Sequence, residues 1–327
     1  MTARSPYDTL ITVFGGSGFL GRSVVRALAK RDYRIRVAVR RPELAGHLQP
    51  LGRVGQIEVV QANLRHAGSV EAAMRGSALA INLVGILFER GRQSFDAVQT
   101  AGAENVARAA ATHGADLIHV SAIGANADST SAYARSKAEG ETRTLAARPS
   151  ATIVRPSIMF GPEDDFFNRF ASLARFVPAL PLIGGGETKL QPVFVGDVAA
   201  AIAIIADGKL MHDTPRPGEV FECGGPDVAS FAQLMRYTLD TIGRKRLLVP
   251  LPFGLARIKA SVLQFLPKPP LTPDQVELLR TDNVVSDAAT RAGHTLQGLG
   301  ITPTVMTAVV PSYLWRFRKT GQFAKMA

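Results

Sequence analysis

The stretch that decides the fold is Leu10–Phe14, a short apolar run rich in β-branched residues, which leads directly into Gly15-Gly16-Ser17-Gly18-Phe19-Leu20-Gly21. An apolar helical pattern follows, formed by Val24, Val25 and Leu28. A strand, a glycine turn and a helix in this order suit a pyrophosphate, because glycines allow close backbone approach and the helix start offers free N–H groups. We therefore predict a dinucleotide site with contacts from Gly15, Ser17, Gly18, Phe19, Leu20 and Gly21.

Strands and helices alternate through the first half of the chain. Six strands are predicted before residue 156, at Leu10–Phe14, Arg34–Val39, Ile57–Val60, Leu79–Val84, Leu117–Val120 and Thr152–Val154. This alternation predicts an α/β fold, a Rossmann-type doubly wound parallel sheet with helices on both faces. We expect a dinucleotide-binding domain over 1–160, to which a strand (193–195) and a helix within 190–207 return. A smaller α+β cap is expected over 161–327, with a short strand at 220–222.

Composition limits the remaining possibilities. The 327 residues are 46% hydrophobic and 20% charged, as in a globular protein, and the single cysteine excludes a disulfide framework. The six histidines show no metal-ligand spacing, so no metal is predicted. The N-terminus lacks the apolar core of a signal peptide, and no apolar stretch reaches the roughly 18 residues that a membrane span needs. A cytoplasmic or peripheral protein is expected.

The net charge of +11 indicates an anionic partner: a phosphate, a membrane surface, an acidic protein face or a nucleic acid. No nucleic-acid-binding module is visible, so nucleic acid is not expected. The segment Phe253–Leu266 has apolar residues at helical spacing beside Arg257 and Lys259, which suits either an anionic bilayer or an ordinary core-facing helix. The C-terminal segment combines basic and aromatic residues, Tyr313, Trp315, Arg316, Phe317, Arg318, Lys319 and Lys325, which suits an interface or a solvated tail.

The end of the second predicted strand favours NADP(H) over NAD(H). Arg40 and Arg41 follow Val39, and the first acidic residue is Glu43. A guanidinium suits a ribose 2′-phosphate, whereas a carboxylate would bind the free 2′-hydroxyl. The alternative, that these arginines are only solvated loop charges, is stronger for Arg41 than for Arg40.

The third and fourth predicted strands end in further candidate cofactor contacts. Asn63 and Leu64 follow the third strand, where the adenine is expected, although an asparagine there also suits a simple turn. Val84 and Gly85 end the fourth strand, so their backbone is expected to line the dinucleotide cleft.

A catalytic constellation is predicted after the fifth strand. Ser121 closes that strand, and Tyr133 and Lys137 lie four residues apart on the next helix, on one side of it. A phenol has an ordinary pKa of about 10, and a nearby ammonium group lowers it, while a serine hydroxyl can orient a substrate carbonyl. The alternative is an ordinary amphipathic helix, which the serine at the preceding strand end disfavours.

These motifs (GGSGFLG, NLVG, Ser121, YARSK and Arg155-Pro156) resemble the short-chain dehydrogenase/reductase superfamily in its extended or atypical branch. The resemblance implies that Ser121, Tyr133 and Lys137 are the catalytic triad and that Pro156 lies near the nicotinamide. Asn63 departs from the aspartate that is usual at the adenine.

The C-terminal half narrows the resemblance. Segments such as RPSIMFGPEDDFFNRFA, QPVFVGDVAAAI and YLWRFRKTGQF are similar to the nucleotide-binding accessory subunits of respiratory complex I, NADH:ubiquinone oxidoreductase, and their bacterial relatives. The resemblance implies NADPH held as a structural element near the quinone-site junction, at the inner face of the respiratory membrane. The intact triad is a departure, so two alternatives stay open: an NADP-dependent reductase or epimerase acting on a quinone-related or nucleotide-sugar substrate, and a nucleotide-sensing regulator.

Overall fold

The computed structural model describes residues 5–211, 218–267, 269–319 and 321–323, so Lys325 lies outside the described residues. Its strands are β1 (Leu10–Phe14), β2 (Arg34–Val39), β3 (Ile57–Gln61), β4 (Leu79–Asn82), β5 (Asp116–Val120), β6 (Thr152–Pro156), β7 (Met159–Phe160), β8 (Ala179–Ile183), β9 (Lys189–Leu190), β10 (Val193–Phe194), β11 (Val220–Cys223), β12 (Ala229–Ser230) and β13 (Leu247–Leu251).

The α-helices are α1 (Phe19–Ala29), α2 (Ala67–Met74), α3 (Ala101–Thr112), α4 (Ala132–Ala147), α5 (Phe167–Phe176), α6 (Val195–Met211), α7 (Phe231–Thr241), α8 (Phe253–Leu263), α9 (Pro273–Leu278), α10 (Asp287–Ala292), α11 (Met306–Val309) and α12 (Pro311–Leu314). A π-helical segment, Asp96–Thr100, leads into α3. In the described ranges, none of these helices has the length and apolar character to cross a bilayer.

A seven-stranded parallel sheet forms the first compact unit, which comprises the described residues of Met1–Pro156, Val195–Cys223 and Asp287–Ile301. The strand order is β11-β6-β5-β4-β1-β2-β3. Both β1 and β4 are buried at every position, which requires cover on both faces of the sheet. Helices α2, α3 and α4 form one contacting group and α1 packs with α6. The unit is a Rossmann-type doubly wound fold, as the sequence predicted.

The chain order reverses between β1 and β4, which are neighbours in the sheet. In doubly wound sheets, ligands bind in the crevice beyond the carboxyl ends of the strands at such a switch point. The glycine turn after β1 and the segment after β4 therefore meet at the expected position of a nucleotide.

Two sheet assignments made from the sequence are wrong. The strand expected at 193–195 does not join the central sheet, because β10 pairs with β7 in a separate two-stranded sheet and Val195 begins α6. The seventh strand is instead β11, expected in the cap, which runs parallel to β6. A strand of two to four residues carries an apolar pattern but no local signal of its partner.

The second unit comprises the described residues of Ser157–Phe194, Gly224–Ser286 and Thr302–Ala327. Its main core joins aromatic and aliphatic side chains of α5, α7 and α12. The alternative of a solvated C-terminal tail is wrong for its first part, whereas the interface expected there stays a prediction. Tyr313 and Leu314 are buried in this core, Tyr313 donates a hydrogen bond to Asp164, and Arg318 Nε donates to the Thr241 carbonyl at 3.0 Å.

Candidate functional site

The glycine turn between β1 and α1 is built by close backbone contacts. Gly15 has a φ of +79°, which favours glycine, and its N–H donates to the Ala38 carbonyl at 3.0 Å. A Cβ on Gly21 would lie 2.4 Å from the Gly15 carbonyl oxygen, so only glycine allows α1 to start this near the strand. Gly18 is the N-cap residue of α1, and no side chain caps the helix. The free N–H groups of this helix start could hold a pyrophosphate.

A continuous backbone track runs from the glycine turn toward Lys137. Val84 borders the turn, since a Cβ on Gly15 would lie 3.0 Å from Val84 Cγ2. Gly85 borders the lysine, since a Cβ on Gly85 would lie 3.3 Å from Lys137 Nζ. Both residues lie just beyond β4, which ends at Asn82. Ser17 lies in the turn at the other end of this track, and Phe19 and Leu20 begin α1, where Leu20 is buried.

The structure brings Ser121 and Lys137 to the same strand end. Lys137 Nζ donates to the carbonyl of Val120, the residue before Ser121, at 3.3 Å. Tyr133 lies in the first turn of α4, where the Ser131 side chain caps the helix by accepting from the Ala134 N–H at 3.2 Å. Lys137 Nζ is 5.9 Å from the centroid of the Tyr133 ring, and the Phe95 ring packs edge-on against the same tyrosine.

Burial sets the charge state of this site. Lys137 is 4% exposed, and its burial lowers the pKa of the ammonium group to about 8, while the nearby Glu141 partly opposes this by raising it. Burial first, and then the Lys137 charge, lower the pKa of His119 to about 3. His119 is therefore neutral at physiological pH, and the only positive charge contributed by this pair is that of Lys137.

Polar side chains that the sequence analysis did not select support the track. Gln99 Oε1 accepts from the Ile86 N–H at 3.3 Å, and its Nε2 donates to Ser136 Oγ at 2.8 Å. Ser136 in turn donates to the Tyr133 carbonyl at 2.8 Å, so this chain of bonds fixes α4 against the segment after β4. The signal that could have found them is a polar residue at a buried position of an apolar helical pattern.

A second supporting group lies on the strands beside α4. Asn82 Oδ1 accepts from the Val84 N–H at 3.2 Å, and Asn82 Nδ2 and His119 Nδ1 form a hydrogen bond of 3.1 Å. The Glu141 carboxylate receives two hydrogen bonds from Arg155, at 2.9 and 2.6 Å. His119 and Glu141 are the two groups of this set that interact electrostatically with Lys137.

The remaining candidates lie at the other strand ends. Arg40 and Arg41 are exposed, and neither forms an ion pair with any residue that the structure describes. The Asn63 side-chain oxygen accepts from the Arg65 N–H at 3.2 Å, which is the turn alternative, and its amide nitrogen is the group that could face an adenine. Leu64 packs into the sheet core and Pro156 ends β6, where its carbonyl accepts from the Ile123 N–H at 3.0 Å.

Two observations agree with a bound dinucleotide. The buried Ser121 Oγ has no hydrogen-bond partner within the described part of the chain, which is costly for a hydroxyl unless a ligand or water supplies one. The start of α1 at Gly18 has no side-chain cap, so its N–H groups can face a phosphate. The arrangement can hold a pyrophosphate at the turn and a ribose near Lys137, and can present the Ser121 hydroxyl and Tyr133 beside it.

Comparisons with known proteins agree with this geometry. The family model described as "NAD dependent epimerase/dehydratase family" matches residues 11–224. The chain is 37% identical over 322 residues to "NADH dehydrogenase [ubiquinone] 1 alpha subcomplex subunit 9, mitochondrial" of Arabidopsis thaliana, covering 95% of this chain and 78% of that one. It is 33% identical over 248 residues to "Ceramide reductase" of Caulobacter vibrioides, covering 74% of each.

Solved structures agree on the fold. The NADPH-dependent quinone oxidoreductase QOR2 of Escherichia coli, complexed with NADPH, superposes with a TM-score of 0.71 at 20% identity, covering 93% of this chain and 99% of that one. The matched model spans the glycine turn, the track, α4 and β11. The chain therefore belongs to the NAD dependent epimerase/dehydratase family, which binds NAD(P), and within that family it is similar to complex I subunits.

Proposed function

We propose that this chain binds NADP(H) and is an accessory subunit of respiratory complex I in which the cofactor stabilises the fold rather than turning over. The observation that carries the proposal is its 37% identity to a complex I subunit across 95% of its length, well beyond the nucleotide-binding half. In this proposal the chain contacts complex I subunits near the quinone-site junction and lies on the cytoplasmic, inner face of the respiratory membrane.

The choice of NADP(H) rests on the end of β2. The guanidinium groups of Arg40 and Arg41 are exposed there, and no carboxylate among the described residues forms an ion pair with them, so both are available to a 2′-phosphate. A charge-assisted hydrogen bond contributes about 1.5–3 kcal/mol. Arg40→Asp is therefore expected to weaken NADPH binding and to favour NADH relatively, because a carboxylate accepts from a 2′-hydroxyl and repels a phosphate.

Thermal unfolding with each nucleotide tests this choice. NADPH should raise the Tm of the wild type more than NADH does, since a ligand that binds only the folded state stabilises it. Arg75→Asp is the matched control, because Arg75 is exposed and precedes β4, at the amino ends of the parallel strands and therefore away from the end of β2. A wild-type chain that binds NADH more tightly than NADPH would show the proposed cofactor preference to be wrong.

A second candidate function, an NADP-dependent reductase or epimerase, is favoured by the unpartnered Ser121 hydroxyl and by the similarity to a ceramide reductase. A bound nicotinamide would supply or accept the hydride. In that reaction the Ser121 hydroxyl donates a hydrogen bond to the substrate oxygen, and the Tyr133 phenol exchanges a proton with the same oxygen. Lys137 holds the ribose and keeps a positive charge beside the phenol. Quinone-related, nucleotide-sugar and lipid carbonyl compounds are the substrate classes to test.

Native purification separates the two functions. Respiratory membranes are solubilised and complex I is resolved by native electrophoresis, with the chain followed by immunoblotting. The structural role is supported if the chain co-migrates with complex I and if Tyr133→Phe leaves growth on respiratory substrates unchanged. A chain that never co-migrates, and that oxidises NADPH in a Tyr133-dependent manner with one of these carbonyl compounds, supports the reductase instead.

A further inference from the structure

Helix α8 packs by its small side chains and exposes its large ones. Ala256 and Ala260 are fully buried, in a cluster with Ile183 and Val276. The opposite side carries large apolar side chains that are between 49% and 84% exposed, and we call them the α8 stripe: Leu255, Ile258, Val262, Phe265 and Leu266. Leu255, Ile258 and Val262 lie on one side of α8, and Phe265 and Leu266 lie in the turn that follows its end at Leu263. The core-facing alternative for this segment is therefore wrong.

The α8 stripe lies in a basic stretch of the sequence. Between residues 244 and 267 there are five Lys or Arg residues and no Asp or Glu. Lys259 is exposed beside the stripe, and the Arg257 side chain is 66% exposed although its guanidinium lies 3.8 Å from Glu277. Leu247 and Val249 of the preceding strand β13 are exposed too. A group of exposed large apolar side chains such as the α8 stripe marks an interaction site.

The C-terminal segment is a weaker candidate for the same role. Tyr313 and Leu314 belong to the core, and Arg316 donates to Pro162 and Asn168 through its Nη2 atom. Two of its large apolar side chains are therefore part of the core, whereas those of the α8 stripe are all exposed.

We propose that the α8 stripe lies in the interface of an anionic bilayer, with the stripe among the acyl chains and the flanking lysine and arginine side chains at headgroup level. A single convex apolar ridge bordered by cations has the form of an interfacial helix, since it can enter a headgroup layer without a complementary groove. Anionic lipid headgroups attract the lysine and arginine side chains beside the stripe. An acidic protein groove could attract them as well, but it would also need a shape that matches the stripe. The identity of the membrane, the respiratory one, rests on the proposed function. The assignment of the α8 stripe as the membrane-binding surface does not.

Vesicle flotation of the full chain tests the inference, with phosphatidylcholine vesicles that contain or lack phosphatidylglycerol. The wild type should float with anionic vesicles, less so at high salt because exposed charges are screened. The double variant Ile258→Asp with Val262→Asp should lower the partition coefficient at least about tenfold. The matched control is Leu44→Asp with Val54→Asp, two exposed apolar residues of the first unit, which should float like the wild type.

The outcomes separate this inference from the proposed function. Unchanged flotation of the α8 double variant overturns the inference, and so does a wild type that ignores anionic vesicles but is captured by complex I, since the stripe would then be a protein interface. The rise in Tm with NADPH is measured on the same preparations. Loss of flotation with an intact NADPH response confirms that the variant is folded, whereas flotation without any NADPH response refutes only the cofactor proposal.

Discussion

Replacing Lys137 by methionine should stabilise the chain without cofactor and abolish its response to NADPH. Burial lowers the Lys137 pKa from an ordinary 10.5 to about 8, so at pH 7 the fold holds a charge that the site disfavours. At 1.36 kcal/mol per pKa unit, the difference corresponds to about 3 kcal/mol, and methionine fills similar space without the charge. The variant should therefore unfold at higher urea concentration, while losing the ammonium group that faces Gly85.

The pH dependence makes this prediction specific. The folded-state pKa is the lower one, so the unfolded chain holds the Lys137 proton over the range from about pH 8 to 10.5, and wild-type stability rises with pH there. The gap between the variant and the wild type should thus shrink from about 3 kcal/mol at pH 7 to about 1.4 kcal/mol at pH 9.5. Taking the difference between the two proteins cancels other groups that titrate in alkali, such as Cys223.

The assay is urea unfolding from pH 7 to 9.5, followed by circular dichroism, with thermal unfolding in NADPH as the second measurement. Lys30→Met is the control, because Lys30 is exposed and its replacement should leave both stability and its pH dependence nearly unchanged. A Lys137→Met variant that is less stable than the wild type, or a gap that stays constant with pH, would refute the reasoning from burial.

Two further changes test the turn and the second core. Gly21→Ala places a Cβ 2.4 Å from the Gly15 carbonyl oxygen, so it should lower the Tm and abolish the rise in Tm with NADPH. Tyr313→Phe removes a hydrogen bond from the buried Asp164 and should cost about 1–3 kcal/mol in urea unfolding. Tyr7→Phe, which removes an exposed tyrosine–aspartate hydrogen bond, should cost much less, and equal costs for the two phenylalanine variants would contradict the role of burial.

The central sheet could be predicted because each of its first six strands is recognisable from its own residues. The strands β1 and β2 have the predicted bounds, and β3 to β6 differ only at their ends, since each contains a short run rich in β-branched or other apolar residues. Membership of the sheet was harder. The two-residue β10 and the four-residue β11 are both short, and neither segment carries a local signal that β10 pairs with β7 and β11 with β6.

The sequence predicted individual residues of the candidate site, but it did not predict which of them contact each other. Ser121 and Lys137 were selected from residue type and spacing, but the contact of Lys137 with Gly85 depends on how β4, β5 and α4 meet. Gln99 and His119 were missed because a polar residue inside an apolar pattern has no local signature of its partner. Their bonds become visible only when the strand ends lie side by side.

Two segments of the second unit have similar basic and apolar compositions, yet they pack differently. In the sequence, the C-terminal segment and the segment containing α8 offer the same mixture of cations and large apolar residues. The difference lies in what each places against the core. Helix α8 uses Ala256 and Ala260, one turn apart, and leaves its large side chains outside, whereas the C-terminal segment buries Tyr313 and Leu314. Deleting residues 312–327 would therefore remove part of a core, so surface association is properly tested by substitutions on α8.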